Sequence, residues 1–466
     1  MRRSGVVVTA VGIAAAVVLS ACGGGSGGQA RPKQELPDCP LSALDNVSAP
    51  VPITMWHAMA EDNDKALKKL ADQFNTSQNK VKVTTVLLTT YDNVLEKVNA
   101  SKTTGDLAEV SQIQDRQIQS VVDANVFLPA QSCINKANYS MTDFLPQVQS
   151  MFKIDGVQEA MPFNVSTPIL YFDKTDFEKA GLDPNKPPAT LDEVRSYAQK
   201  LKAANASTGA PFSFETDSWL FEEWMAKAGD YFVNGENGRS ALATEASFNN
   251  GTGQSIFSWF ESMRKDGLIK NYKRDTGYQN LFAIGQGESS MSLWSTAALG
   301  TALNILNAGI LADKNIKLGA APMPGPTGGG ISAGGAGLYI SRKASPEKIA
   351  ASWQWLAFLN SASAQAQWAI ETGFLPTTTK AAQEPNLIAY WDKQPAFKIG
   401  YDQMVKAPGN NVTAGPVIGP YSDVRRSVED AITGILDDNK SAKPQLDAAA
   451  KGATTALQDY ADRAGK

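Results

Sequence analysis

The order of apolar runs in the first third of the chain constrains the fold more than any other feature. Val51 to Trp56 is a short β-prone run, and Glu61 to Asn75 follows with Leu67, Leu70, Ala71 and Phe74 at helical spacing. Val81 to Leu88 reads as a second strand, Tyr91 to Ala100 as a helix, Glu109 to Ile113 as a strand and Gln117 to Asn125 as another helix. Alternation of this kind predicts an α/β protein with a parallel sheet covered by helices on both faces. Further on, Leu191 to Ala203 and Gly253 to Asp266 read as helices. Pro322 to Gly335 is dense in Gly and Pro before the strand-like Gly337 to Ile340, and no repeat recurs at a fixed period.

Ahead of this body, Arg2 and Arg3 precede an apolar run from Val6 to Leu19 that ends in Ser20-Ala21-Cys22-Gly23. A basic end, an apolar run and small residues before a cysteine read as a lipoprotein export signal over residues 1–21, with Cys22 lipidated as the first mature residue. The run falls short of the roughly 20 residues that a spanning helix requires. Gly23 to Gly28 is nearly pure glycine with serine, so residues 22–50 are expected to form a flexible tether. The mature protein is then expected outside the cytoplasm, on the outer face of the cell membrane, touching the membrane through lipid alone.

The body exceeds the roughly 250 to 300 residues at which single cores stop growing, so two lobes are expected. A net charge of -4 offers no basic field for a polyanion, which weighs against nucleic acid and an anionic membrane surface. A small ligand is the more natural partner. Apart from Cys22 the chain has only Cys39 and Cys133, and outside the cytoplasm two thiols in one domain pair more often than not. Two unpaired cysteines are the alternative, since sequence alone does not place their Cα atoms within reach.

Several segments resemble the extracellular solute-binding proteins of ABC importers, in particular the glycerol-3-phosphate and sugar-binding branch. These are Ile53-Thr54-Met55-Trp56-His57-Ala58-Met59, Pro162 to Pro168, Leu170 to Lys174, Ala180 to Asp183, Gly334 to Leu338 and Thr372 to Pro376. The resemblance implies a two-lobed, periplasmic-binding-protein-like fold with a ligand cleft between lobes and hinge crossovers near Pro162 and around Gly373. Residues 51–162 with about 320–373 would form one lobe, and 163–319 with about 374–466 the other. It also implies ABC permease subunits as partners and a monomer in solution, with no cofactor and no metal.

Taken residue by residue, the resemblance places Trp56, His57, Tyr91 and Asp115 on the first lobe's side of the cleft. Ser166 and Thr167 fall in the crossover, Trp219, Trp294 and Ser295 on the other wall, with Gly334, Gly335, Phe374 and Tyr421 completing the set. A cleft for a sugar needs aromatic faces for its apolar side and polar groups for its hydroxyls. Trp219 is the stacking candidate, although Leu220, Phe221 and Trp224 nearby also suit a core tryptophan. Asp115 has two acceptor oxygens for neighbouring hydroxyls, with a helix N-cap before Gln117 as the alternative. Gly334 and Gly335 suit close approach of ligand to backbone, or a plain turn before a strand.

Two departures from the branch bear on the ligand. Phe374 stands where a tyrosine is usual, removing a hydroxyl. The stretch Ala414-Gly415-Pro416-Val417-Ile418-Gly419 holds no arginine where the branch grips phosphate, and Arg425 and Arg426 come later, on a helix beginning near Ser422. Arginine is the fork that binds phosphate bidentately, so its absence favours a neutral mono- or oligosaccharide. Glycerol-3-phosphate or a glycerophosphodiester such as glycerophosphocholine is the alternative, with another cation such as Arg425 taking over. A sensor or adhesin of the same fold is a further one.

An enzyme is disfavoured. His57 is the only histidine, and no Gly-Lys-Ser or Gly-Lys-Thr follows the glycines at 328–330. Glu222 and Glu223 are adjacent, so on a helix they point in different directions, and a solvated or capping role is expected for them.

Overall fold

A computed structural model describes residues 36–273, 278–307 and 316–464, so Cys22, the export signal and most of the tether lie outside the described residues. The expected strands and helices form between Val51 and Ala124, each within a few residues of its reading. Helix Glu61–Ser77 buries Leu67, Leu70, Ala71 and Phe74, the stripe that its spacing predicts. Helix Leu191–Ala203 starts with a capping box in which Thr190 and Glu193 satisfy each other's backbone N–H groups.

The strands form two main sheets. In the first, Val81–Leu87, Val51–His57 and Val110–Gln114 run parallel, with Val51 opposite Val81 and His57 opposite Leu87. The late strand Gly334–Ser341 then pairs antiparallel with Val110–Gln114, Phe127–Leu128 and Met161–Ser166. The second sheet takes Ile269–Tyr272, Phe212–Glu215, Met291–Ser295, Pro168–Asp173 and Leu318–Pro322 in that spatial order. Both sheets are therefore mixed: parallel pairing holds for the early strands and for Phe212–Glu215 with Ile269–Tyr272 and Met291–Ser295, and the remaining pairs are antiparallel. A strand that returns from the other lobe enters the sheet from the opposite end, which strand–helix alternation does not report.

The chain passes between the sheets later than residue 162. Pro162 lies opposite Gly337 inside the first sheet, and the changeover comes at Thr167, between paired Ser166 and paired Pro168. Thr167 is fully buried there: its carbonyl accepts from Thr296 N–H at 2.9 Å and its hydroxyl from Gln403 Nε2 at 2.7 Å. The return path is Met323 to Ala333, between strands Leu318–Pro322 and Gly334–Ser341. Gly373 is no crossing point either. It closes helix Ala362–Thr372 with φ 82°, and Leu375, Thr377 and Thr379 all keep backbone hydrogen bonds to Val165, Leu145 and Asp143 of the first lobe. Ala366 and Ala369 of that helix already share an apolar cluster beneath the second sheet with Ile169 and Tyr171, and Leu387 and Trp391 extend it.

Cys39 and Cys133 are bonded, with Cα atoms 5.0 Å apart and a sequence separation of 94. The bond fastens the segment before the first strand to helix Ala130–Ala137, while the turn Leu41–Leu44 packs on helix Pro346–Leu359 with Leu44 buried. Closing so long a loop removes chain entropy from the unfolded state. Replacing both cysteines by serine is expected to cost about 2–5 kcal/mol in denaturant unfolding. An unchanged midpoint would mean that the segment holds without the bond.

Candidate ligand cleft

The cleft is organised by helix Ser218–Ala228, whose first turn is capped by Asp217 accepting from Trp219 N–H at 2.8 Å. Residues four apart share a helix face, so two adjoining stripes result, Ser218 with Glu222 and Trp219 with Glu223. The first stripe meets helix Tyr421–Leu436, where Tyr421 and Arg425 are likewise four apart. Arg425 donates from Nε to Glu222 Oε1 at 2.8 Å and from Nη2 to Oε2 at 2.7 Å. The Tyr421 hydroxyl adds 2.9 Å to Oε2 and Ser218 Oγ 2.9 Å to Oε1, so the carboxylate accepts four hydrogen bonds, two on each oxygen. The guanidinium also sits 4.9 Å from the Tyr421 ring centre.

The second stripe faces the crossover. Glu223 Oε2 accepts from Ser332 N–H at 2.9 Å, and the indole N–H of Trp219 lies near the same carboxyl. Burial pushes Glu223 well above the usual carboxylate range and Glu222 adds to this, while the two N–H donors oppose it. Glu222 and Glu223 do point apart, but neither is solvated or a cap: both are buried and both line the cleft.

Across from this helix, Asp115 opens the turn Asp115–Gln117 at the end of strand Val110–Gln114. Gln114, not Asp115, occupies the cap position. Burial pushes the Asp115 carboxyl up to about 6, against the pull of Arg425 and of the Arg116 backbone N–H. Beside it the Tyr91 hydroxyl accepts from Asn164 Nδ2 at 2.8 Å, Asn164 Oδ1 from Gln112 Nε2 at 2.7 Å, and Gln112 Oε1 from Ala58 N–H at 2.8 Å. This buried chain of polar groups fixes the first wall to the loop after His57.

Between the walls lies a small pocket of about 20 Å³ whose lining includes Asp115, Met151, Trp219, Glu222, Glu223 and Tyr421. Asp115, Trp219 and Tyr421 of the expected set thus come together, with Tyr91 close to Asp115. Arg239 ties the rim, donating to the Gly415 carbonyl at 2.7 Å on one side and to those of Ser150 at 2.9 Å and Lys153 at 3.1 Å on the other.

Other expected residues also make contacts within the fold. Trp56 is 5 % exposed with the Lys97 ammonium 4.8 Å above its ring. His57 is fully buried, accepts from Met59 N–H at 3.2 Å and has its pKa lowered by burial to about 4, so it stays neutral. Phe374 stacks on Trp368 at 5.6 Å in the core of the first lobe, away from the cavity lining. Over Gly334 the indole of Trp219 takes the space that a Cβ would need, and over Gly335, at φ 151°, the Asn164 carbonyl does. Ser166 pairs with Gly334 at the strand end, Ser295 caps Ala297 N–H at 3.1 Å, and Trp294 is half-buried beside it. Sequence reasoning missed Glu222, Glu223 and Ser332, although the spacing Ser218/Glu222 and Tyr421/Arg425 is a readable signal that two helix faces meet.

Because the folded-state pKa of Asp115 lies above its ordinary 3.8, its contribution is favourable at low pH and is lost as pH rises through about 6. Asp115→Asn is therefore expected to raise the melting temperature at neutral pH, with the gain shrinking from pH 6 towards pH 4. Equal melting of variant and parent across that range would place Asp115 in solvent.

Comparison with known proteins agrees with this architecture. The sn-glycerol-3-phosphate-binding periplasmic protein UgpB of Salmonella paratyphi A is 27% identical over 417 residues, covering 88% of this chain and 93% of that protein. Its namesake in Brucella melitensis is 28% identical over 417 residues, covering 87% and 93%. Among solved structures, Mycobacterium tuberculosis UgpB in complex with glycerophosphocholine superimposes with TM-score 0.75 at 19% identity, covering 89% of this chain and 99% of that one. The cyclic α-maltosyl-1,6-maltose binding protein of Arthrobacter globiformis gives TM-score 0.71 at 22% identity, covering 88% and 100%. These likenesses establish the two-lobed fold. Residues 69–398 match the family described as bacterial extracellular solute-binding protein, and the chain belongs to that family.

Proposed function

We propose that the protein is the substrate-binding lipoprotein of an ABC importer, held by lipid on Cys22 at the outer face of the cell membrane, and that it captures an uncharged polyhydroxylated solute, a mono- or oligosaccharide. The observation that carries the ligand class is the pairing of Arg425 with Glu222, which leaves the cation at the cleft neutralised. Asp115 and Glu223 remain as acceptors for hydroxyls, and Trp219 offers an aromatic face beside them. A ligand bridging Asp115 and Trp219 favours the closed form by its differential affinity, with Thr167, the strand end at Gly334 and Gly335 and the stretch after Thr379 as the crossings that bend. The closed form then docks as a monomer on permease subunits and releases its cargo without chemistry.

A second reading, a glycerophosphodiester such as glycerophosphocholine, draws support from the names of relatives that match along nearly the whole chain. Aromatic faces of Trp219 and Tyr421 among carboxylates would suit a quaternary ammonium head group.

A thermal-shift screen of the body against mono-, di- and trisaccharides, glycerol-3-phosphate and glycerophosphocholine, followed by calorimetry, separates these readings. A ligand at 100 times its dissociation constant adds about 2.7 kcal/mol of stability. A saccharide is expected to bind, and Trp219→Ala to abolish it. Response to glycerol-phosphate compounds alone would replace the first reading by the second. In cells, Cys22→Ala is expected to shift the protein out of the membrane fraction, and unchanged membrane retention would refute the anchor.

A further inference from the structure

Glu222 is held in the way a bound anion is held. Its two oxygens take both arms of a buried bidentate arginine and the hydroxyls of Tyr421 and Ser218, all within 2.7–2.9 Å. Arg425 is 4 % exposed and Glu222 8 %, and the carboxylate rather than the guanidinium lines the cleft. A buried arginine fork beside a phenolic donor is a set of groups suited to a tetrahedral oxyanion as well as to a carboxylate. The protein fills that set from its own helix.

We propose that Glu222 is a specificity-determining residue: by occupying the Arg425, Tyr421 and Ser218 donors from within, it denies them to a phosphate-bearing solute and restricts the cleft to uncharged ligands. An anionic ligand entering the wild-type cleft meets the carboxylates of Asp115 and Glu222 and finds the Nε and Nη2 donors of Arg425 already taken. Discrimination built on repulsion and pre-satisfied donors rejects a competitor without weakening the contacts made to the intended ligand. The inference rests on the reading that the cavity around Trp219 is the ligand site.

Calorimetry on the full chain with inorganic phosphate and glycerol-3-phosphate tests it. The wild type is expected to give no binding heat. Glu222→Ala, which frees the Arg425 fork and opens a path to it, is expected to gain affinity for both by about tenfold or more, as a charge-assisted bidentate contact supplies. The gain is expected to weaken with added salt and to vanish in the Glu222→Ala, Arg425→Met double variant. Glu222→Gln, which keeps the shape but removes the charge, is expected to show a smaller gain. A folded Glu222→Ala that binds phosphate no better than the wild type overturns the inference, as does a gain that survives Arg425→Met.

If the unmatched guanidinium prevents folding, refolding in phosphate or formate against chloride gives the answer. Recovery that depends on the oxyanion supports the inference, and equal recovery or equal failure in all three overturns it. Titration of the wild type with the saccharide panel keeps the two proposals separate. A wild type that binds a saccharide beside an unresponsive Glu222→Ala sinks only the role of Glu222, whereas a wild type that binds phosphate sinks both.

Discussion

A carboxylate and a guanidinium buried together at the edge of a cavity set the terms for this structure. Taking Glu222 and Arg425 out of water is costly, and the cost is offset only because Tyr421 and Ser218 satisfy the remaining lone pairs and the geometry is bidentate. That requirement locks helix Ser218–Ala228 to helix Tyr421–Leu436. The register of the lock then decides where everything else on the first helix points. One residue on, Glu223 turns to the crossover, and the indole of Trp219 packs against Gly334.

The crossover is fitted to the same helix at several points. Trp224 Nε1 donates to the Pro324 carbonyl at 2.9 Å, Gly329 N–H to the Lys227 carbonyl at 2.8 Å and Gly330 N–H to the Ala226 carbonyl at 3.1 Å. A Cβ at residue 329 would come within 2.1 Å of the Ala226 carbonyl oxygen, so the glycine-rich composition of this stretch answers to packing. The path from Met323 to Ala333 therefore travels with the helix that carries Trp219, and the freedom to bend is left to the strand end at Gly334 and Gly335.

How much of this was legible in the sequence differs by kind of information. Periodicity located the early strands and helices because each is amphipathic over its own length, as in the Leu67, Leu70, Ala71 and Phe74 stripe. The antiparallel return of Gly334–Ser341 was not legible, since it depends on where a distant strand re-enters the sheet. At the cleft, resemblance singled out Asp115, Trp219 and Tyr421, which line one pocket, and also Phe374 and His57, which are buried in the core. A linear motif does not say on which side of a sheet a side chain emerges. Glu222 and Glu223 were misread as solvated because adjacent acidic residues usually are, and only the partner helix reveals that each has its own buried donors.

The disulfide has a mechanical consequence. Chain tension arriving from upstream of Cys39 is carried through sulfur into helix Ala130–Ala137 and ends there. The strand Val51–His57, which leads directly into the cleft wall, is shielded from that load by the bond and by the Leu41–Leu44 turn seated on helix Pro346–Leu359. The bond thus ties the segment before the first strand to the first lobe alone, so a pull on that segment bypasses the cleft wall.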